Sequence, residues 1–75
     1  MGKRPDVSGR ELIRALQKDG FRIVRQKGSH VLLEKVTPER KYITVVPLHS
    51  SIKKGTLVNI LRQSGLTRER LAELL

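Results

Sequence analysis

The chain has 75 residues, sixteen of them Lys or Arg against seven Asp or Glu, for a net charge of +9 and not one cysteine. A chain this short buries only about 60% of its unfolded surface, and without cysteine it has neither a disulfide framework nor a thiolate metal site. The charge points to a polyanionic partner, nucleic acid first and an acidic protein or membrane surface second. Phe21 and Tyr42 are the only aromatics, which argues against a stacking platform for bases.

No apolar run approaches the roughly 18 residues needed to span a bilayer. Met1 to Asp6 lacks the apolar core of a signal peptide, so a cytoplasmic protein is expected. Residues 1–7, charged and broken by Pro5, read as a flexible tail on a single domain covering 1–75. Ser8-Gly9-Arg10-Glu11 has the form of a capping box. Leu12, Ile13 and Leu16 follow at helical spacing, and Gly20 stands where a helix end needs a left-handed residue. A first helix over about 9–19 is therefore expected.

Phe21 to Gln26 alternates as a strand, with Phe21, Ile23 and Arg25 on one face and Arg22, Val24 and Gln26 on the other. Lys27-Gly28-Ser29 is a connection of hairpin length, and His30 to Lys35 is the return strand. Thr37-Pro38-Glu39-Arg40 is a second turn, Tyr42 to Val46 a third strand, and Pro47 its end. After Leu48-His49-Ser50-Ser51, the segment Ile52-Lys53-Lys54-Gly55 leads into a helix carrying Leu57, Ile60 and Leu61, closed by Gly65. Thr67 can cap a short C-terminal helix with Leu71, Leu74 and Leu75.

The expected order is α-β-β-β-α with that short extra helix. Two hairpin connections make the sheet a three-stranded antiparallel meander, and the two main helices must cover one of its faces. The result is a two-layer α+β domain resembling a double-stranded RNA-binding domain. Within the second strand, Val31 and Leu33 share a fully apolar face that should meet the helices. His30, Leu32 and Glu34 then point to the open face.

The densest chemistry is Arg25-Gln26-Lys27-Gly28-Ser29-His30, a turn rich in donors and cations at the start of a strand. Arg25 and Lys27 can hold an anion, Gly28 permits close backbone approach, and His30 can transfer a proton. A lone histidine is more often structural, but an open-face histidine beside an anion site has what RNA transesterification needs. One group takes the 2′-hydroxyl proton while cations stabilise charge growing on the phosphate.

His49, in the loop after the third strand, is a second candidate, as general acid, phosphate contact or plain exposed residue. Lys53 and Lys54 stand ahead of a helix start, where backbone amides attract phosphate. Two histidines without cysteine or a nearby Asp make a poor metal set. Glu34 and Glu39 are the only acids between positions 20 and 68, leaving little for a carboxylate-pair mechanism. Ser29, Ser50 and Ser51 lack an Asp–His arrangement for acyl transfer. The physical reading by itself stops at an anion-binding turn with a proton-transfer group.

Five strings together, in this order, resemble the HicA toxin family (HicA/YcfA-like). They are Ser8 to Gly20 running into Phe21, Arg25-Gln26-Lys27-Gly28-Ser29-His30, Val45-Val46-Pro47-Leu48-His49, Lys53-Lys54-Gly55-Thr56-Leu57, and Ile60-Leu61. The resemblance covers the chain from Ser8 to about Leu71. It implies a metal- and cofactor-independent mRNA endonuclease, an mRNA interferase, of a type II toxin–antitoxin system. It also implies growth arrest through mRNA cleavage and neutralisation by a HicB-type antitoxin covering the active site. The family's catalytic histidine falls on His30 and its motif glycine on Gly28. Two other classes stay open on the residues: a non-catalytic double-stranded RNA-binding module using the same basic surface, and an interaction subunit for an acidic protein.

Overall fold

The structure, a computed structural model, describes residues 7–75. Its element order is α1 (Gly9–Lys18), β1 (Arg22–Lys27), β2 (His30–Val36), β3 (Lys41–Pro47), α2 (Lys54–Ser64) and α3 (Arg68–Leu74). This is the expected α+β arrangement, with the short C-terminal helix present. Residues 1–6 of the expected tail lie outside the described residues. Val7, counted with them, is instead buried in the core, and its carbonyl accepts from the Ile52 N–H at 2.8 Å.

Local chemistry accounts for the helix ends. The Ser8 hydroxyl accepts from the Glu11 N–H at 3.1 Å, and the Glu11 carboxylate accepts from the Ser8 N–H at 2.9 Å. That reciprocal pair satisfies two amides that an uncapped helix would leave open. At the other end of α1 the Phe21 N–H donates to the Leu16 carbonyl at 3.0 Å and the Gly20 N–H to Gln17 at 3.1 Å. The same paired bonds recur after α2, from Leu66 to Leu61 and from Gly65 to Arg62. Thr67 caps α3 by accepting from the Arg70 N–H at 3.0 Å.

The sheet runs β1-β2-β3, antiparallel throughout. Leu33 stands opposite Thr44 in β3, and Val31 opposite Val46, so these residues share the face that meets the helices. They are buried together with Leu12 and Leu16 of α1 and Ile60 and Leu61 of α2. The Thr44 hydroxyl, buried on that face, donates to the Gln63 side-chain carbonyl at 2.9 Å and so ties α2 to β3. Leu71 and Leu74 bring α3 into the same core, and Lys18 of α1 donates to the Leu74 carbonyl at 3.0 Å.

One feature departs from the expected alternation. In β1, Ile23 pairs with Leu33 and Arg25 with the very next residue, Leu32, so the register shifts and Val24 is the extra residue of a β-bulge. Paired residues lie on one face. Ile23 and Gln26 therefore share the helix side with Leu33 and Val31, while Arg22, Arg25 and Lys27 share the open side with Glu34, Leu32 and His30. Simple alternation grouped Arg25 with Ile23 and Phe21. The bulge divides them: Ile23 turns to the helix side, while Arg25 and Lys27 lie on the face that carries His30.

Gly9 sits where α1 begins against the end of β3. A Cβ there would overlap the Pro47 carbonyl oxygen and stand 3.0 Å from the Leu48 Cα. The Gly9 N–H also donates to the His49 carbonyl at 2.8 Å, so the helix has little freedom to back away. Gly9→Ala is expected to destabilise the chain by about 1–3 kcal/mol, the usual cost of overpacking. Thermal unfolding reads this as a drop of several degrees, since each kcal/mol moves a domain of this size by about 4–8 °C. An unchanged midpoint would show that α1 repacks without strain.

Candidate active site on the open sheet face

Gly28 and Ser29 form a two-residue loop between Lys27 and His30, which are themselves paired across β1 and β2. Gly28 has φ of +59°, and no other residue than glycine has a positive φ among the described residues. Glycine first and a negative φ second is the pattern of a type II′ hairpin turn, whose twist matches that of the strands it joins. Apart from Gly28 itself and its two chain neighbours, no described residue comes within 4 Å of where a Gly28 Cβ would stand, so the glycine answers to backbone conformation and not to crowding. The Gln26 side chain closes the turn by donating to the Gly28 carbonyl at 3.0 Å. The Ser29 carbonyl accepts from the Leu48 N–H at 2.7 Å, which fastens the turn to the loop after β3.

His30 opens β2, paired with Lys27 on one side and Pro47 on the other, and its side chain is exposed. It lies on the face away from Val31 and Leu33, as the strand alternation requires. Down the neighbouring strand, Lys27, Arg25 and Arg22 follow along the same face. Two of these cations are unneutralised: Arg25 and Lys27 have no ion pair among the described residues, whereas Arg22 donates to Glu34 at 2.8 Å. Glu34 also pairs with Lys41 of β3 at 3.5 Å, so one carboxylate bridges all three strands. The free positive charge of the face is thereby concentrated at the His30 end.

The Arg22 hydrogen bond, helped by the charge of Lys41, holds the Glu34 carboxyl below its ordinary value of 4.5. A carboxyl with a lowered folded-state pKa stabilises the fold above its unfolded value, and this contribution is lost as pH falls through the folded value. Acidification below about 4.5 should therefore weaken the wild type more than Glu34→Gln. Urea midpoints at neutral and acid pH check this, and equal acid sensitivity in both chains would remove Glu34 as the cause.

His49 is exposed in the loop after β3, and its carbonyl is held by the Gly9 N–H. Because Leu48 bonds to Ser29 and Pro47 pairs with His30, this loop is brought to the His30 end of the sheet. Lys53 and Lys54 are not brought to that face. Lys53 is the residue before α2, Lys54 its first, and both line a groove walled by α1, α2 and α3 that includes no strand residue.

The open face carries one feature that the charge reading missed. Ile43 and Val45 of β3 are 47% and 43% exposed, and Leu32 pairs with Val45, so an aliphatic strip runs beside Arg25. The signal was present in Ile43-Thr44-Val45-Val46, where apolar residues occupy both faces of one strand. In a two-layer domain only one face can meet helices, so apolar residues on the other mark a surface for contact.

Among the described residues no three His, Asp or Glu side chains cluster as a metal site, and no helix is long and apolar enough to cross a membrane. Comparison with curated proteins returns no match. The family model for the HicA toxin of bacterial toxin–antitoxin systems matches residues 9–66, from the first residue of α1 to just beyond α2. That span contains the bulge, the turn, His30 and His49, and it covers most of the chain; the protein belongs to the HicA toxin family of bacterial toxin–antitoxin systems.

Proposed function

We propose that this toxin is a metal-independent endoribonuclease that cleaves mRNA on the open sheet face, with His30 as its proton-transfer group. The observation that carries the reading is an exposed histidine beside two cations, Arg25 and Lys27, that no carboxylate among the described residues neutralises. His30 takes the proton from a ribose 2′-hydroxyl. The 2′-oxygen then bonds to the adjacent phosphorus, the bond from phosphorus to the 5′-oxygen breaks, and the leaving oxygen takes up a proton. The products are a 2′,3′-cyclic phosphate and a 5′-hydroxyl.

Arg25 and Lys27 stabilise the charge on the phosphate as it reacts, and the Gly28–Ser29 turn lets the backbone approach it. His49 is the candidate to return the proton or to hold the phosphate. Lys53 and Lys54, away from that face, contribute to the field that attracts RNA and not to the reacting phosphate. Preorganised cationic groups of this kind act where charge develops and need not reorganise during the reaction. A HicB-type antitoxin covers the same face. The aliphatic strip of Leu32, Ile43 and Val45 suits a protein cover, since a protein can bury it where a phosphate backbone cannot.

The experiment is cleavage of a defined single-stranded RNA in the presence of a chelator, with and without a 2′-deoxy substitution at the cut site. Cyclic-phosphate ends from the all-ribose strand, and an uncut deoxy strand, are the expected results. Equal cutting of both strands would overturn the mechanism, because the attacking oxygen would then come from elsewhere.

A further inference from the structure

A second surface lies on the helix layer, away from His30. It is an open groove of about 1120 Å³ between α1, the start of α2 and α3. Small-molecule sites usually occupy about 300–1,000 Å³ and are enclosed, so the size and openness suit a polypeptide segment better. Its floor is aliphatic: Leu61 and Leu71 are buried, Leu57 is half-buried, and Ala72 and Leu75 are exposed. No aromatic residue lines it.

Its rim is strongly cationic. Arg14 and Lys18 of α1, Lys53 and Lys54 at the start of α2, and Arg68 of α3 all line it. Among the described lining residues the one acidic side chain, Glu11, caps the Ser8 N–H. Five positive groups around an aliphatic floor ask for an occupant that is apolar along one side and acidic along its flanks.

We infer that this groove docks an acidic amphipathic helix of a protein partner, at a site separate from the His30 face. An amphipathic helix lays residues at i, i+3, i+4 and i+7 into such a floor and places its flanking side chains on the rim. Glu and Asp on those flanks meet the cations of the rim: Arg14 and Lys18 of α1, Lys53 and Lys54 at the start of α2, and Arg68 of α3. Nucleic acid fits less well, since the floor offers neither an aromatic ring for a base to stack on nor polar groups to read one. A second copy of the chain, at +9, would bring like charge to a cationic rim. Docking here does not depend on RNA cleavage by His30.

The probe is a labelled helical peptide of about 15 residues, roughly 22 Å long, with leucines at helical spacing and glutamates on both flanks. Its isomer has the same composition with the leucines spread around the helix. Fluorescence anisotropy with the full chain should show the amphipathic peptide binding more tightly than the isomer. Ala72→Glu puts a carboxylate on an exposed floor position of α3, and Lys54→Glu puts one at the first residue of α2, where the helix dipole favours it. Each keeps the fold and should weaken peptide binding by about tenfold or more. His30→Ala and Arg25→Ala, on the other face, should bind as the wild type does.

Equal binding of the two peptides would reduce the effect to net charge and overturn the proposal. So would peptide binding that survives both groove variants. Displacement of the peptide by a single-stranded RNA, in wild type and Arg25→Ala alike, would assign the groove to nucleic acid. Self-association in sedimentation that Ala72→Glu abolishes would assign it to a second copy.

Discussion

Replacing His30 with alanine is expected to lower RNA cleavage by about a hundred- to ten-thousand-fold, the usual contribution of a positioned general acid or base. Growth arrest on expression should be lost with it. The fold should survive, because the side chain is exposed on the open face and the β2 pairing runs through the backbone. Three measurements belong together: cleavage of a defined RNA, growth on induction, and thermal unfolding of the purified chain. Equal growth and equal mRNA integrity with wild type and variant would end the catalytic reading. A non-catalytic RNA-binding module would behave in that way, and its affinity would fall steeply with salt because phosphate contacts release counterions. An inactive variant with a lowered melting temperature would instead point to the fold.

The second large effect is on stability, at Leu33. This residue is fully buried in the middle of β2, opposite Ile23 in β1 and Thr44 in β3, on the face under the helices. Leu33→Ala is expected to remove about 2–5 kcal/mol, combining lost transfer energy with the cavity left behind. A domain of this length has a total stability of about 4–11 kcal/mol, so the variant should populate unfolded chain measurably at 37 °C. Urea unfolding checks this through the midpoint, and an unchanged midpoint would mean that the sheet and helices collapse around the missing methyls. Toxicity should fall as well, through abundance and not chemistry, which separates this variant from His30→Ala.

The two variants mark how far the residues could be read without coordinates. Ser8 and Glu11 cap each other as their spacing requires, and Thr67 caps α3 in the same manner. Gly20 and Gly65 stand just past the two longer helices, and Gly28 turns the first hairpin. These signals are local: each involves groups within a few residues, and the physics of a cap or turn is complete within that span. The exposed position of His30 also followed from sequence, because Val31 and Leu33 had to face the helices and alternation then left no choice.

The division of β1 between the two sheet faces did not follow. Sequence alternation put Arg25 on one face with Ile23 and Phe21; the bulge at Val24 divides them, leaving Arg25 and Lys27 with His30 while Ile23 turns to the helix side. No pattern could announce that bulge. β1 is an edge strand with all six residues exposed, so no buried set of side chains in it fixes the register. Pairing with β2 decides it, and pairing is a property of two strands.

The same limit applies to Lys53 and Lys54. In sequence they stand four and five residues after His49, yet the path of the chain into α2 turns them toward the groove on the helix layer. The sequence by itself therefore determined the elements, their order, the family and the exposure of His30, since short-range geometry and one-sided burial specify those. Which residue of β1 is the bulge, and that Lys53 and Lys54 stand on a different surface from that histidine, was decided only when the strands paired and the helices packed. Those choices depend on contacts between residues far apart in the chain.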